Sequence, residues 1–341
     1  MSLSDYHVTA GDWRLQLQRN ERKTRRVIAM FVGLYVAVGL IVDIFVLQSH
    51  YPQASLGQCF HALVTLQAVP YATLILGGLA VISLLITYTL YDRIMLLGTD
   101  SHEITGETAK NLSEKQLYHV VEEMKVAAGL QFMPKVFLIE ADYMNAFASG
   151  YSEKSAMVAI TRGLMEKLDR AELQAVMAHE LSHIRHHDIK LTLMVAILSN
   201  ILLIVIDMLF YTLIFKRDRR EDNGLFTVVM VLRYVLPVLT VILALFLSRT
   251  REYMADAGAV ELMRDNEPMA RALLKINQDH QAHAEQYATE YGQTPHEQVR
   301  HASYLFDPSD IDPVKSLNTA FDTHPSINQR LDALGFKSKA K

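Results

Sequence analysis

His179, Glu180 and His183 stand in the run His-Glu-Leu-Ser-His. Histidines four residues apart share one helix face, so both imidazoles can reach a single Zn²⁺, and the intervening Glu can take a proton from water at the metal. These residue types at this spacing suit a hydrolytic zinc site. The pattern arises by accident often enough, in a chain with 14 His, that its surroundings have to support it. Downstream, Arg249-Thr250-Arg251-Glu252-Tyr253-Met254-Ala255-Asp256 puts Glu252 and Asp256 on one face of a helix. If that helix packs antiparallel to the chain leaving His183, Glu252 becomes a third ligand with a fourth position left for water. Asp256 can then accept an N–H from a ligand imidazole. Charges at a membrane interface would produce the same spacing, and both readings stand at this point. His119, His186 and His187 are left out of the site, because a histidine near a metal motif is more often solvated or structural and catalytic zinc keeps one position open.

The elements that must hold these residues can be read from pattern. Asp169 and Glu172 form a capping box, and Leu173, Val176, Met177, Leu181 and Ile184 supply an apolar stripe at helical spacing. From Leu164 to Asn223 there is neither Gly nor Pro, so the metal helix is free to continue into the apolar run that follows. Half of the chain is hydrophobic, with a mean hydropathy of +0.12. Its apolar residues concentrate in four runs, Val27 to Leu47, Pro70 to Leu90, Leu191 to Phe215 and Leu225 to Leu247. Each is about the 20 residues needed to cross a hydrocarbon core. The chain is therefore expected to be a multi-pass membrane protein in contact with the bilayer. The first run starts too late and is too long for a signal peptide.

Arg14, Arg19, Arg22, Lys23, Arg25 and Arg26 precede the first run, whereas Gln48 to Val69 has no Lys or Arg, which places the N-terminus and residues 91–190 in the cytoplasm. The second pair of runs breaks this rule, since its connection carries Lys216, Arg217, Arg219 and Arg220. Either the earlier spans dominate, or this hairpin stops short of a full crossing or is buried against other helices. Within it, Asp207 and Arg233 fall at one depth of an antiparallel pair and are expected to form an ion pair, whose loss should loosen the metal site from a distance. A single Cys59 excludes an internal disulfide, and no basic patch with interleaved aromatics suggests nucleic acid. The 15 Met read as packing. No nucleotide loop, Ser-His-Asp order or redox Cys pair competes for the chemistry.

The His-Glu-Leu-Ser-His run, the later Arg-Glu-Tyr-Met-Ala-Asp and Thr323-His324-Pro325-Ser326 with Arg330 together resemble the HtpX family of membrane-bound zinc metalloproteases, of gluzincin type. Asn145-Ala146-Phe147-Ala148-Ser149-Gly150 and Val158-Ala159-Ile160-Thr161-Arg162-Gly163-Leu164 extend the resemblance over most of residues 100–335. It implies that His179, His183 and Glu252 bind one Zn²⁺ per chain, that Glu180 is the general base, and that His324 stabilises the oxyanion. It also implies that Asn145, Ala146 and Phe147 belong to an edge strand that pairs with substrate. The implied activity is that of a zinc endopeptidase acting on polypeptides, membrane proteins among them, in stress-related quality control at a bacterial inner membrane.

The expected fold is α+β and mainly helical. It comprises a basic leader (1–26), two transmembrane helices (27–90), the first part of a cytoplasmic zincin-like domain (91–190), an inserted membrane hairpin (191–247) and the second part of that domain (248–341). A helix is expected over Ser113 to Ala128 and strands over Lys135 to Ile139 and Ala156 to Thr161. Pro268 to Tyr291 reads as a polar helical stretch and His296 to Asp322 as loop. Two alternatives belong to other classes. A catalytically silent scaffold is disfavoured by the presence of Glu180, and a zinc- or ion-handling membrane protein by the position of the histidines before a span.

Overall fold

The computed structural model describes residues 6–8, 13–96, 99–150, 152–186, 188–215, 224–293, 304–306 and 324–338. The connection at 216–223, most of the stretch from 296 to 322, His187 and Thr323 lie outside the described residues. The fold is mostly helical with a small sheet, and the chain divides into two compact units.

One unit takes in Met1–Thr24, Leu90–Leu191 and Leu245–Lys341. It contains β1 (Tyr6–Val8), β2 (Ser101–Ile104), α4 (Leu112–Ala128), β3 (Lys135–Ile139), β4 (Ala146–Ser149), β5 (Met157–Thr161), α5 (Arg162–Lys167), α6 (Arg170–Arg185), α9 (Glu267–Ala282), α10 (Ala284–Gln293), α11 (Ile327–Ala333) and β6 (Phe336–Ser338). The four-stranded sheet runs β2-β3-β5-β4, with β3 and β5 parallel and the other pairings antiparallel. β4 is thus an edge, and β1 with β6 makes a separate two-stranded ladder.

α6 is the core of this unit, buried on nearly every side from Leu173 to Ile184. Its start is set by Asp169, whose carboxylate accepts Glu172 N–H while Glu172 accepts Asp169 N–H. Glu172 in turn binds Lys275 of α9 at 3.0 Å. Its end departs from expectation. The helix does not continue into the apolar run but stops at Arg185, where the His186 N–H and ring Nδ1 both turn back onto the Ser182 carbonyl, at 3.0 and 2.9 Å. The polar stretch after residue 267 is likewise two helices, broken at His283.

The other unit, Arg25–Thr89 and Thr192–Ala244, is built from α1 (Trp13–His50), α2 (Leu56–Val64), α3 (Tyr71–Met95), α7 (Asp188–Phe215) and α8 (Gly224–Met263), of which α1, α3, α7 and α8 extend beyond it. α2 is a short capped helix within the connection between the first two apolar runs. Two stretches, Ala29–His50 and Phe226–Met263, are long and apolar enough to cross a membrane, and shorter apolar stretches, Tyr71–Ile82 and Ser199–Tyr211, occur in α3 and α7. A small core of Val38, Leu76, Leu202, Ile206 and Leu236 lies inside, while Val32, Leu74, Leu85, Ile204, Val231 and Ile242 are exposed. Such an outward apolar surface suits lipid better than water. Asp43 on α1 is satisfied by the N–H groups of Ala72 and Thr73 at the start of α3, at 2.7 and 3.0 Å. Asp207 and Arg233 do pair, with Nε 2.7 Å from Oδ1, and the guanidinium lies over the Phe210 ring.

Candidate metal centre

The polar end of α8, from Arg249 onward, belongs to the same unit as α6. This polar end packs on α6. Gly258 makes the close approach possible, because a Cβ there would collide with the Ser182 hydroxyl. Glu252 consequently faces His179 and His183.

The three side chains converge with one ligand atom each, all within 4.8 Å of one another and all buried. His179 Nε2 and His183 Nε2 are 3.2 Å apart, and each lies 3.6 Å from a Glu252 oxygen. Atoms bound at about 2.0–2.1 Å to a tetrahedral ion stand about 3.3–3.4 Å apart, so this triangle has the size zinc requires. His179 Nδ1 lies 3.0 Å from Asp256 Oδ1, which directs the lone pair of Nε2 toward the other two donors. Two imidazole lone pairs and a carboxylate pointed at one spot fit a divalent cation. The electrostatics agree. Burial alone would lower His179, but Asp256 and Glu252 outweigh it and push it up to about 9. Burial alone would raise Glu252, yet the imidazoles of His324, His179 and His183 hold it well below the carboxylate range. The site is built to hold positive charge.

Glu180 occupies the next position of α6, fully buried. Burial, with a contribution from Glu252, pushes it up to about 7 despite His179, Arg330 and the nearby Ala148 N–H. A carboxylate near neutrality can both take and return a proton. His324 is buried, with Nδ1 3.6 Å from Glu252 Oε2.

Arg330 is the residue whose role sequence reasoning missed. It appeared there only as part of a motif, and here it is almost wholly buried, bidentate to Asp256 at 2.6 and 2.9 Å and 3.5 Å from Glu252. Burial alone would lower its pKa, but Asp256 and Glu252 keep it raised. Its spacing from Asp256, 74 residues, carries no local signal.

Asn145 precedes β4 rather than lying in it, and its buried amide binds the Phe306 main chain. Phe147 points into an aromatic cluster with Tyr304, ring centroids 5.7 Å apart, and Ala146 points into the main core. None of the three offers a side chain to a bound polypeptide, which leaves the main chain of β4 for that purpose.

Residues 111–336 match the model of Peptidase family M48. A protease HtpX homolog of Helicobacter pylori (strain Shi470) is 39% identical over 319 residues, covering 93% of this chain and 96% of that protein. A protease HtpX homolog of Limosilactobacillus fermentum is 33% identical over 334 residues, covering 94% and 98%. Among solved structures, Ste24p of S. mikatae aligns with a TM-score of 0.48 and 18% identity, over 97% of this chain and 68% of that one.

Proposed function

Since the chain belongs to peptidase family M48 and within it to the HtpX proteases, we propose that His179, His183 and Glu252 are its zinc ligands and Glu180 its general base. The protein is a membrane zinc metalloprotease that acts on polypeptides. The observation that carries the assignment is the ligand triangle, with Glu180 beside it and no other convergent His/Cys/Asp/Glu cluster among the described residues.

Bound there, one Zn²⁺ per chain would act as a Lewis acid toward the peptide carbonyl and acidify water. The residues do the rest. Asp256 accepts the Nδ1 proton of His179 and keeps that ring in the ligating tautomer. Arg330 keeps Asp256 ionised. Glu180 removes the proton from the attacking water and returns it to the leaving amine. His324 lies close enough to Glu252 to donate to the oxygen of the substrate carbonyl as charge develops on it. β4 receives the substrate main chain as an added strand, which makes recognition tolerant of sequence.

The four apolar helices cross the bilayer of a bacterial inner membrane, with the metal centre on the cytoplasmic side. Basic residues before Val27 and their absence from 48–69 support that orientation. Substrates are cytoplasmic segments of damaged membrane proteins, and the role is quality control.

The test pairs two variants. His179→Ala should empty the site of zinc and abolish cleavage. Glu180→Gln should keep the metal and lower kcat by roughly 10²–10⁴. Equal zinc loss in both would show that Glu180 is misassigned, and full activity of Glu180→Gln would remove the general-base role.

A further inference from the structure

The outward main-chain groups of β4 can be assigned one by one. Thr161 N–H donates to Asn145 C=O at 3.0 Å, so the residue just before β4 turns its carbonyl toward β5. By the two-residue alternation of an antiparallel pair, Phe147–Ala159 and Ser149–Met157 are then the hydrogen-bonded pairs of the ladder. Ala146 and Ala148 therefore turn their N–H and C=O groups away from β5, toward the free edge. Ala146 N–H is taken by Asn145 Oδ1 at 3.0 Å. Ala146 C=O accepts Leu305 N–H at 2.9 Å. Ala148 N–H lies toward the Glu180 carboxylate, whose pKa it helps to lower. Of the two edge carbonyls, Ala146 C=O is taken and Ala148 C=O has no partner among the described residues.

The segment that fills the Ala146 station is held firmly. The Asn145 amide meets both main-chain groups of Phe306, donating to its C=O at 3.0 Å and accepting its N–H at 3.2 Å, as a neighbouring strand would. Arg330 Nη1 donates to Leu305 C=O at 2.8 Å. Tyr304, Leu305 and Phe306 are all buried.

We propose that Leu305 is an internal strand mimic that sets the register of a bound polypeptide. It closes the Ala146 half of the edge, so a substrate main chain finds a single acceptor, Ala148 C=O, beside Glu180. This rests on the reading of β4 as the substrate edge. Extending a substrate past Ala146 gains no main-chain hydrogen bond, and the enzyme reads backbone on one side only. The strap is also tied to the metal centre, because the guanidinium that holds Leu305 C=O holds Asp256, and Asp256 holds His179.

The test uses the full-length, zinc-loaded protein in lipid nanodiscs and a cleavable peptide N-methylated at one position at a time, the scissile nitrogen excepted. The wild type should show one position where methylation lowers kcat/KM by roughly 3–10-fold, the size of one hydrogen bond, and no second one two residues away. Leu305→Pro removes the N–H that occupies Ala146 C=O, and in that variant a second sensitive position should appear two residues from the first, with zinc content retained. A Leu305→Pro protein that keeps its zinc and gains no second position overturns the proposal. If that variant fails to fold, the wild-type scan decides, since two sensitive positions two residues apart show the Ala146 station open. Insensitivity at every position instead removes β4 as the substrate strand, which is the failure of the earlier reading.

Discussion

Each unit contains one well-formed Asp–Arg pair, and the two pairs live in opposite surroundings. Asp256 and Arg330 are each 1% exposed, bidentate, and surrounded by the ligands of the metal centre. Asp207 and Arg233 are 50% and 27% exposed, singly bonded, on a unit whose large apolar side chains also face outward. In the first unit a buried charge persists because a metal site needs it. In the second, on the proposed membrane reading, pairing is what lets charge exist on a surface that faces lipid. The difference teaches that, on the proposed membrane reading of the helical unit, lipid in place of protein would cover its outward side chains.

Breaking the buried pair should have the largest consequence. Arg330→Gln leaves Asp256 and Glu252 uncompensated and is expected to destabilise its unit by about 3–5 kcal/mol, with weaker zinc retention. Replacing Asp256 and Arg330 together by apolar residues should recover stability without recovering zinc affinity, because His179 then lacks its acceptor. Unfolding curves and metal content check both, and a double variant that holds zinc as the wild type does would break the functional half of the comparison. Next in size is His324→Ala. If the ring donates to the reacting oxygen, kcat falls roughly 10²–10³-fold with zinc unchanged. Zinc loss with little change in the kcat of the loaded fraction would assign His324 to Glu252 instead.

Local pattern accounts for what the sequence made legible. The capping box at Asp169, the strands at 135–139 and 157–161 and the helix ending at Ala128 are decided by neighbours within a few residues, and the structure has them at those places. The Asp207–Arg233 pair was legible because a hairpin's geometry follows from its turn. Arg330, Leu305 and the internal amide of Asn145 were not, since their partners lie 74, 159 and 161 residues away and no periodicity connects them. The break at His186 was hidden for the opposite reason. It is local, but the run from Leu164 to Asn223 has no Gly or Pro to mark it.

A third expected effect concerns pH. His280 is fully buried, its ring stacked on Phe306 with centroids 4.1 Å apart. Nδ1 donates to Ile276 C=O at 2.9 Å, so Nε2 is the acceptor for Tyr291 OH at 3.3 Å. Burial pushes its pKa down to about 4, with Ile276 C=O and Asp279 opposing and Lys167 and His283 assisting. The folded protein binds this proton less readily than the unfolded chain, whose His titrates near 6.5. Stability from this residue is therefore present above about pH 6.5, is lost as pH falls toward about 4, and changes no further below that. The loss amounts to roughly 3 kcal/mol. The difference between wild type and His280→Gln, followed by thermal unfolding from pH 7.5 to 4, isolates it. A difference independent of pH would show that folding leaves the titration of this ring unchanged.

The smallest effect is expected at the outward pair, and it is the one that decides whether the comparison holds. Asp207→Asn and Arg233→Gln each leave one charge facing lipid without its partner. Each should lower Tm by roughly 2–5 °C in nanodiscs. In a detergent micelle, where water reaches the helix surface more readily, the same changes should matter less. Arg233 and Glu252 belong to one helix, α8, so cleavage should fall together with stability. Replacing both residues with Leu should return most of the lost Tm, because an apolar surface against lipid needs no ion pair. Unlike the double variant at Asp256 and Arg330, this one should keep its zinc. Strictly additive losses in the double variant, or equal losses in nanodisc and detergent, would show that this pair answers to water as the other unit's surface does, and the contrast between the two environments would fall.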